Sequence, residues 1–150
     1  IDHGQFDREN DVDFLTGCAL LVKKEVIERV GFLDPQYFNF NEDADWCIRA
    51  KAAGYRLVYV PKSKIWHRLA VSMGGRFSPF HIYYRIRNNL LLVTKNKFPI
   101  TAYIYPLIYY PLQILIWTLL TFNIKGFQAA VAGIIDFFNG NLGRGTLFSK

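Results

Sequence analysis

The spacing of hydrophobic and polar positions changes several times along the chain, and each change predicts an element. Residues 1–13 are polar and acidic and read as a loop. Phe14 to Val22 (FLTGCALLV) is a short apolar run broken by Gly17, which predicts a buried strand. A glycine inside a strand often marks close approach by a ligand or another backbone. From Lys23 to Val30 the apolar residues Val26, Ile27 and Val30 fall at helical spacing, and Gly31 supplies a stop. A turn at Phe32-Leu33-Asp34-Pro35 leads into an aromatic loop, Tyr37-Phe38-Asn39-Phe40. Glu42 to about Ala53 predicts a second helix, with Asn41 as its cap and Gly54 as its end. Tyr55 to Val60 alternates as a strand closed by Pro61, and Ile65-Trp66-His67 forms another extended piece. Arg68 to Pro79, with Gly74-Gly75, reads as a mobile loop, and Phe80 to Asn96 as a helix with Arg85 and Arg87 among apolar neighbours.

The last third has a different pattern. Ile100 to Phe122 is 23 residues without a charge, long enough to span a bilayer. Pro106 and Pro111 argue against a straight helix, although membrane helices tolerate kinks. Tyr103, Tyr105, Tyr109 and Tyr110 crowd its first half, as in an interfacial aromatic belt, and Lys95 and Lys97 precede it. Gly126 to Phe138 is apolar but only 13 residues long and contains Asp136, too short to span. Membrane association is the favoured expectation, and a pair of buried helices in a soluble core is the alternative. No internal repeat or low-complexity tract is visible.

Charge sharpens this division. The formal net charge is +6, yet residues 1–45 carry eleven acids against four Lys/Arg, and residues 46–150 one acid against fourteen. An acidic site beside a surface that meets phosphates or lipid head groups would produce such a split. No nucleic-acid-binding motif is present, so nucleic acid is not an expected partner. Cys18 and Cys47 lie in apolar stretches without C-x-x-C spacing and read as two buried thiols in a reducing compartment. The chain opens at Ile1 without a methionine or a signal-peptide pattern, which reads as a fragment boundary.

The densest chemistry lies in Asn41-Glu42-Asp43-Ala44-Asp45-Trp46-Cys47-Ile48-Arg49-Ala50. Carboxylates in a first helical turn face the positive end of the helix dipole. Asp45 and Arg49 are four apart and can pair along one face, whereas Asp43 points to the side of Cys47 and Ala50. This stretch is either a well-capped helix with a solvated ion pair or a helix start presenting Asp43 as a base.

Taken in order, Val12-Asp13-Phe14-Leu15-Thr16-Gly17-Cys18-Ala19-Leu20-Leu21-Val22, Val30-Gly31-Phe32-Leu33-Asp34, the acidic helix, Ala53-Gly54-Tyr55, Pro61 and Trp66-His67 resemble the second half of a family 2 glycosyltransferase. The resemblance covers about residues 12–92, including Tyr84-Arg85-Ile86-Arg87-Asn88 as Y-x-x-R-N. It is nearest to the rhamnosyltransferase-like branch of bacterial cell-surface polysaccharide enzymes. It implies an α/β fold, the C-terminal acceptor-side half of a GT-A (Rossmann-like) domain over residues 1–97. Residues 98–150 would follow as an apolar, membrane-associated helical segment. It also implies an inverting transfer from a nucleotide-diphosphate sugar to a saccharide, lipid-linked by expectation, at the cytoplasmic face of the cell membrane.

In that family the base is the Asp of the Glu-Asp pair, here Asp43, with Glu42 orienting the acceptor or the loop. Asp45 and Arg49 would hold the helix. Thr16 and Gly17 would line the sugar pocket, Trp46 would pack the helix or stack on a sugar, and Arg76 would reach a phosphate. A lone histidine after a strand reads first as structural, but the resemblance makes His67 a ligand to the Mg²⁺ or Mn²⁺ that bridges the diphosphate. Asp11-Val12-Asp13 has the letters of the family's D-x-D but not its place, and reads as a loop and strand start. His3 and His81 read as surface residues. The competing functions are a non-catalytic membrane-binding module and a partner-binding domain with a basic docking face.

Overall fold

The computed structural model describes residues 3–68, 74, 75 and 77–145. The chain forms two compact units, one of Ile1–Asp34 with Glu42–Arg68 and one of Pro35–Asn41 with Leu69–Lys150.

The first unit holds a two-stranded antiparallel sheet, β1 (Asn10–Asp11) with β2 (Val58–Tyr59), in which Asn10 lies opposite Tyr59 and Asp11 opposite Val58. Two helices accompany it, α1 (Lys24–Val30) and α2 (Glu42–Ala52). Helix α1 ends where the periodicity says it should: Gly31 takes a φ of 84° and returns its N–H to Ile27 O at 2.8 Å. The core joins Val26, Trp46, Cys47, Ala50 and Leu57, with Val12, Leu15, Leu20 and Val22 packed against them.

Phe14 to Val22 is not the expected strand. Its middle is a single 3₁₀ turn, Gly17–Ala19, and its backbone is held by side chains of α2 rather than by a neighbouring strand. Ile65 to His67 is likewise exposed and irregular. Helix α2 lacks the expected Asn41 cap. Asn41 sits at φ 69°, outside the extended range of an N-cap, and its Nδ2 is buried without a hydrogen-bond partner among the described residues.

The second unit is helical. Helix α3 (Pro79–Lys95) starts on Ser78, whose Oγ accepts from His81 N at 3.1 Å, with Pro79 in the first turn. The uncharged stretch after it is helical throughout, but its hydrogen-bonding pattern changes along it. A 3₁₀ segment (Ile100–Tyr103) and a π turn (Tyr105–Tyr109) precede helix α4 (Tyr110–Thr121). In the π turn Tyr110 N–H bonds back five residues to Tyr105 O, and next to it Pro111 has no N–H to donate. Helix α5 (Ile124–Phe138) is capped by Asn123, which accepts from Gly126 N at 3.2 Å.

The core of this unit gathers Ile82, Tyr83, Tyr84, Ile86 and Leu90 of α3 with Tyr110 and Ile114 of α4 and Ala129 and Ala130 of α5. Gly133 sets the approach of α5 to α3: a Cβ there would stand 2.7 Å from the carbonyl oxygen of Tyr83. Backbone cannot yield as a flexible side chain does. Gly133→Ala is therefore expected to cost about 1–3 kcal/mol, the usual penalty of overpacking. Thermal unfolding followed by circular dichroism should show a midpoint lower by several degrees, and an unchanged midpoint would contradict the close approach.

The polar interior of this unit also departs from expectation. Arg87, Asn88 and Asp136 are buried, and His81, expected at the surface, is only 7% exposed with its ring 4.7 Å from that of Phe40. Burying Arg87 and Asp136 is tolerable because Tyr83 links them. The Tyr83 hydroxyl donates to Asp136 Oδ2 at 2.6 Å and accepts from Arg87 Nη1 at 3.4 Å. Burial, followed by the bond to Asp136, pushes the Tyr83 hydroxyl well above the usual phenol range.

Candidate active site

The candidate site lies in the first unit, at the start of α2. Asp43 Oδ2 accepts from Gly17 N at 2.8 Å, and Oδ1 accepts from Ala44 N at 2.8 Å. The carboxylate thus ties the 3₁₀ turn to the helix start. Two ionised oxygens offer about four acceptor directions, so each retains one for a further donor. A Cβ on Gly17 would meet Asp43 only at 3.6 Å, ordinary van der Waals contact. Toward Asp43 the turn therefore contributes its N–H. Thr16 precedes the turn, extended and exposed, with its side chain not engaged as a cap.

Cysteine 47 makes a parallel clip. Leu15 N donates to its Sγ at 3.4 Å, and the thiol lies 3.6 Å from Leu15 O. Burial raises the Cys47 thiol above its ordinary pKa. Cys18, expected to be buried, is exposed.

Asp45 is fully buried and accepts from Arg49 Nε at 2.8 Å, so the pair is not the solvated bridge that its spacing alone suggests. The guanidinium goes on to donate to Val30 O at 2.6 Å and Phe32 O at 2.9 Å, satisfying carbonyls at the end of α1. Trp46 Nε1 donates to Gly31 O at 2.8 Å from the same face of α2. Trp46 is 4% exposed and packs in the core of this unit, the first of the two roles expected of it.

Glu42 differs from its neighbours. Its Oε2 is buried with no hydrogen-bond partner among the described residues. Burial raises its pKa above the ordinary 4.5, and the Asp43 charge adds to the rise. A raised folded-state pKa means that the folded chain holds the proton more tightly than the unfolded one. Stability is therefore lost as pH climbs from 4.5 through the folded value. Glu42→Gln should accordingly unfold at a higher denaturant midpoint than the parent at pH 7, and the gain should vanish near pH 4. A variant less stable at both pH values would show that the carboxylate is paired.

His67 is exposed beside an exposed Trp66. No three His, Cys, Asp or Glu side chains come together among the described residues, so these do not compose a metal site by themselves. Asp11 pairs with Arg56 at 2.9 Å, and Asp13 pairs with Lys51. Arg76 lies outside the described residues. Of the sequence-expected residues, Glu42, Asp43 and the Thr16-Gly17 turn come together at one helix start, and Asp45 and Arg49 brace that helix from behind. The Cys47–Leu15 clip was not anticipated, because a lone cysteine on a helix carries no sign of what its thiol touches.

The candidate site is thus a turn N–H held by a carboxylate at a helix start, with a second carboxylate beside it in the chain. A family model described as "Glycosyltransferase like family 2" matches residues 1–79, and the chain belongs to that family. It is 33% identical over 107 residues to the dTDP-rhamnosyl transferase RfbF of Shigella flexneri, covering 67% of this chain and 36% of that protein. It is 39% identical over 66 residues to the N-acetylglucosaminyl-diphospho-decaprenol L-rhamnosyltransferase of Mycobacterium tuberculosis, covering 44% of this chain and 22% of that protein. The rhamnosyltransferase WbbL of Escherichia coli K12 is 44% identical over 50 residues, 33% of this chain and 19% of that protein. The chain thus spans about a third or less of the length of these relatives. No solved structure matches.

Proposed function

We propose that this chain is the acceptor-side part of an inverting glycosyltransferase. It would act on a nucleotide-diphosphate sugar and a saccharide acceptor in cell-surface polysaccharide synthesis. The observation that carries this reading is the Asp43 carboxylate, held by two backbone N–H groups and still able to accept a third donor. The acceptor hydroxyl attacks the anomeric carbon, a new C–O bond forms as the bond to the diphosphate breaks, and the hydroxyl proton passes to Asp43. Next to it, Glu42 can accept from a second acceptor hydroxyl, which fits an Oε2 without a hydrogen-bond partner among the described residues.

A lipid-linked acceptor is favoured by two observations. One relative is named for a decaprenol-linked substrate. In this chain Ile100–Thr121 is long and apolar enough to cross a membrane, with only 17% of its most apolar window buried. The reading places residues 1–97 in the catalytic domain and residues 98–150 against the cytoplasmic face of the cell membrane. His67 is assigned as one nitrogen donor to a Mg²⁺ or Mn²⁺ ion whose other donors lie outside the described residues.

The test is transfer of labelled rhamnose from a nucleotide-diphosphate donor to a polyprenyl-diphosphate saccharide, by a polypeptide of the relatives' length that includes this sequence. Transfer is expected there and not from residues 1–150 alone. His67→Ala should raise the Mn²⁺ concentration for half-maximal rate and for Mn²⁺ binding by calorimetry, since a nitrogen donor is lost. Absence of transfer across a donor panel would sink the function; unchanged metal titrations would sink only the His67 assignment.

A further inference from the structure

Three residues in a row of four, Phe38, Phe40 and Asn41, hold φ values of 60°, 67° and 69°. Non-glycine residues seldom occupy this left-handed region, and bulky aromatics least of all. Such a conformation persists where its surroundings over-determine it, and these surroundings are visible. Asn88 Nδ2 lies 2.8 Å from Tyr37 O, 2.5 Å from Asn39 O and 2.9 Å from Phe40 O, so one amide group is shared by three carbonyls of the loop. Arg87 Nη2 adds a bond to Tyr37 O at 3.1 Å.

The orientation of this amide is itself fixed. Arg87 Nε donates to Asn88 Oδ1 at 3.0 Å, which leaves only Nδ2 to face the loop. Arg87 is held in turn by the faces of Tyr83 and Tyr84, 5.3 and 4.8 Å from its guanidinium carbon. Both residues are completely buried, so neither meets substrate or solvent. The loop that they clamp is followed in the chain directly by Glu42 and Asp43.

We propose that Arg87 and Asn88 are positioning residues for the acid pair. They fix the left-handed backbone of residues 38–41, and so the conformation in which the chain enters Glu42 and Asp43. This inference rests on the reading of Asp43 as the base. It gives Arg-Asn of the Y-x-x-R-N segment a task unlike that of the neighbouring Arg85, which donates to the Tyr105 hydroxyl at 3.0 Å.

The test pairs two measurements on the longer, transferring polypeptide. Asn88→Asp keeps the shape and removes the donors, setting a carboxylate against three carbonyls. Arg87→Lys keeps the charge but not the fork, and serves if the first variant does not fold. Hydrogen exchange of amides 38–41 should accelerate tenfold or more in either folded variant, with protection of 86–93 and 129–135 unchanged. Turnover should fall tenfold or more for Asn88→Asp and several-fold for Arg87→Lys, with donor KM within twofold. A folded variant with parental turnover, or with unchanged exchange at 38–41, overturns the proposal. Asp43→Asn measured alongside separates the two claims: if it is inactive while Asn88→Asp is fully active, the base stands and the positioning falls. If Asp43→Asn is active, the base reading falls, and the exchange rates alone still decide the clamp.

Discussion

Asp43→Asn is expected to lower turnover about 10²–10⁴-fold, the usual contribution of a general base. Binding of the nucleotide-diphosphate sugar should change little. The substitution retains size and hydrogen-bonding capacity but cannot take up the acceptor proton. One complication follows from the geometry. Both carboxylate oxygens accept from backbone, Oδ2 from Gly17 and Oδ1 from Ala44, so an amide NH₂ must face one of those two N–H groups. Part of any loss could then come from a displaced turn. Gly17→Ala is the control: it retains the N–H, and its Cβ finds only ordinary contact with Asp43. Near-parental turnover in Gly17→Ala beside a collapsed rate in Asp43→Asn would assign the loss to the proton. More than about a tenth of parental rate in Asp43→Asn would remove Asp43 as base. It would also favour a membrane- or partner-binding module, for which no carboxylate is needed here.

The second large effect concerns residues 98–150. Deleting them is expected to leave an aggregating remainder rather than a soluble catalytic piece. Helix α3 buries Ile82, Tyr83, Tyr84, Ile86 and Leu90 together with Tyr110 and Ile114 of α4 and Ala129 and Ala130 of α5. Uncovering a large apolar side chain costs about 1.5–3 kcal/mol, so losing even half of that at five positions costs on the order of 4–7 kcal/mol. That is a large part of the roughly 5–15 kcal/mol stabilising a typical domain. The intact chain, by contrast, should pellet with anionic vesicles. Ile100, Ile108, Leu112, Leu119, Leu120 and Phe122 present an exposed apolar surface, with Lys95 and Lys97 exposed just before it. The nearby cations Arg85 and Arg87 are otherwise engaged: Arg87 is buried and Arg85 bonds to Tyr105. Salt should therefore screen about 1 kcal/mol for each of two lysines and leave the apolar contribution intact. Sedimentation at low and high salt measures this directly. Complete release by salt would mean electrostatic docking alone, and a soluble, folded remainder after the deletion would show α3 to be self-sufficient.

Helices were legible in this sequence where a period and a stop signal coincided. Val26, Ile27 and Val30 before Gly31 give α1, and the acidic start before Gly54 gives α2. The two prolines argued against a straight helix, though not for the π turn that forms over Tyr105–Tyr109. Phe14 to Val22 misled because an apolar run shows only that a segment is covered, not what covers it. Here the N–H groups of Leu15 and Gly17 go to a thiol and a carboxylate. Asp43, Glu42 and Gly17 were picked out by residue type and order, and their meeting at one point is geometry that no spacing encodes. Burial of Arg87 and His81 was illegible for the same reason: a polar residue reads as exposed until distant neighbours such as Tyr37 and Phe40 are known, whereas the Asp45–Arg49 pair was legible and only its enclosure was not.

The unequal fates of the two thiols have a practical consequence. Cys47 is enclosed and its burial disfavours the reactive thiolate, whereas Cys18 is exposed in the turn whose Gly17 N–H meets Asp43. A maleimide fluorophore added to residues 1–150 would therefore settle on Cys18, in the turn that meets the candidate base. Its emission would report on the surroundings of that turn without any engineered cysteine.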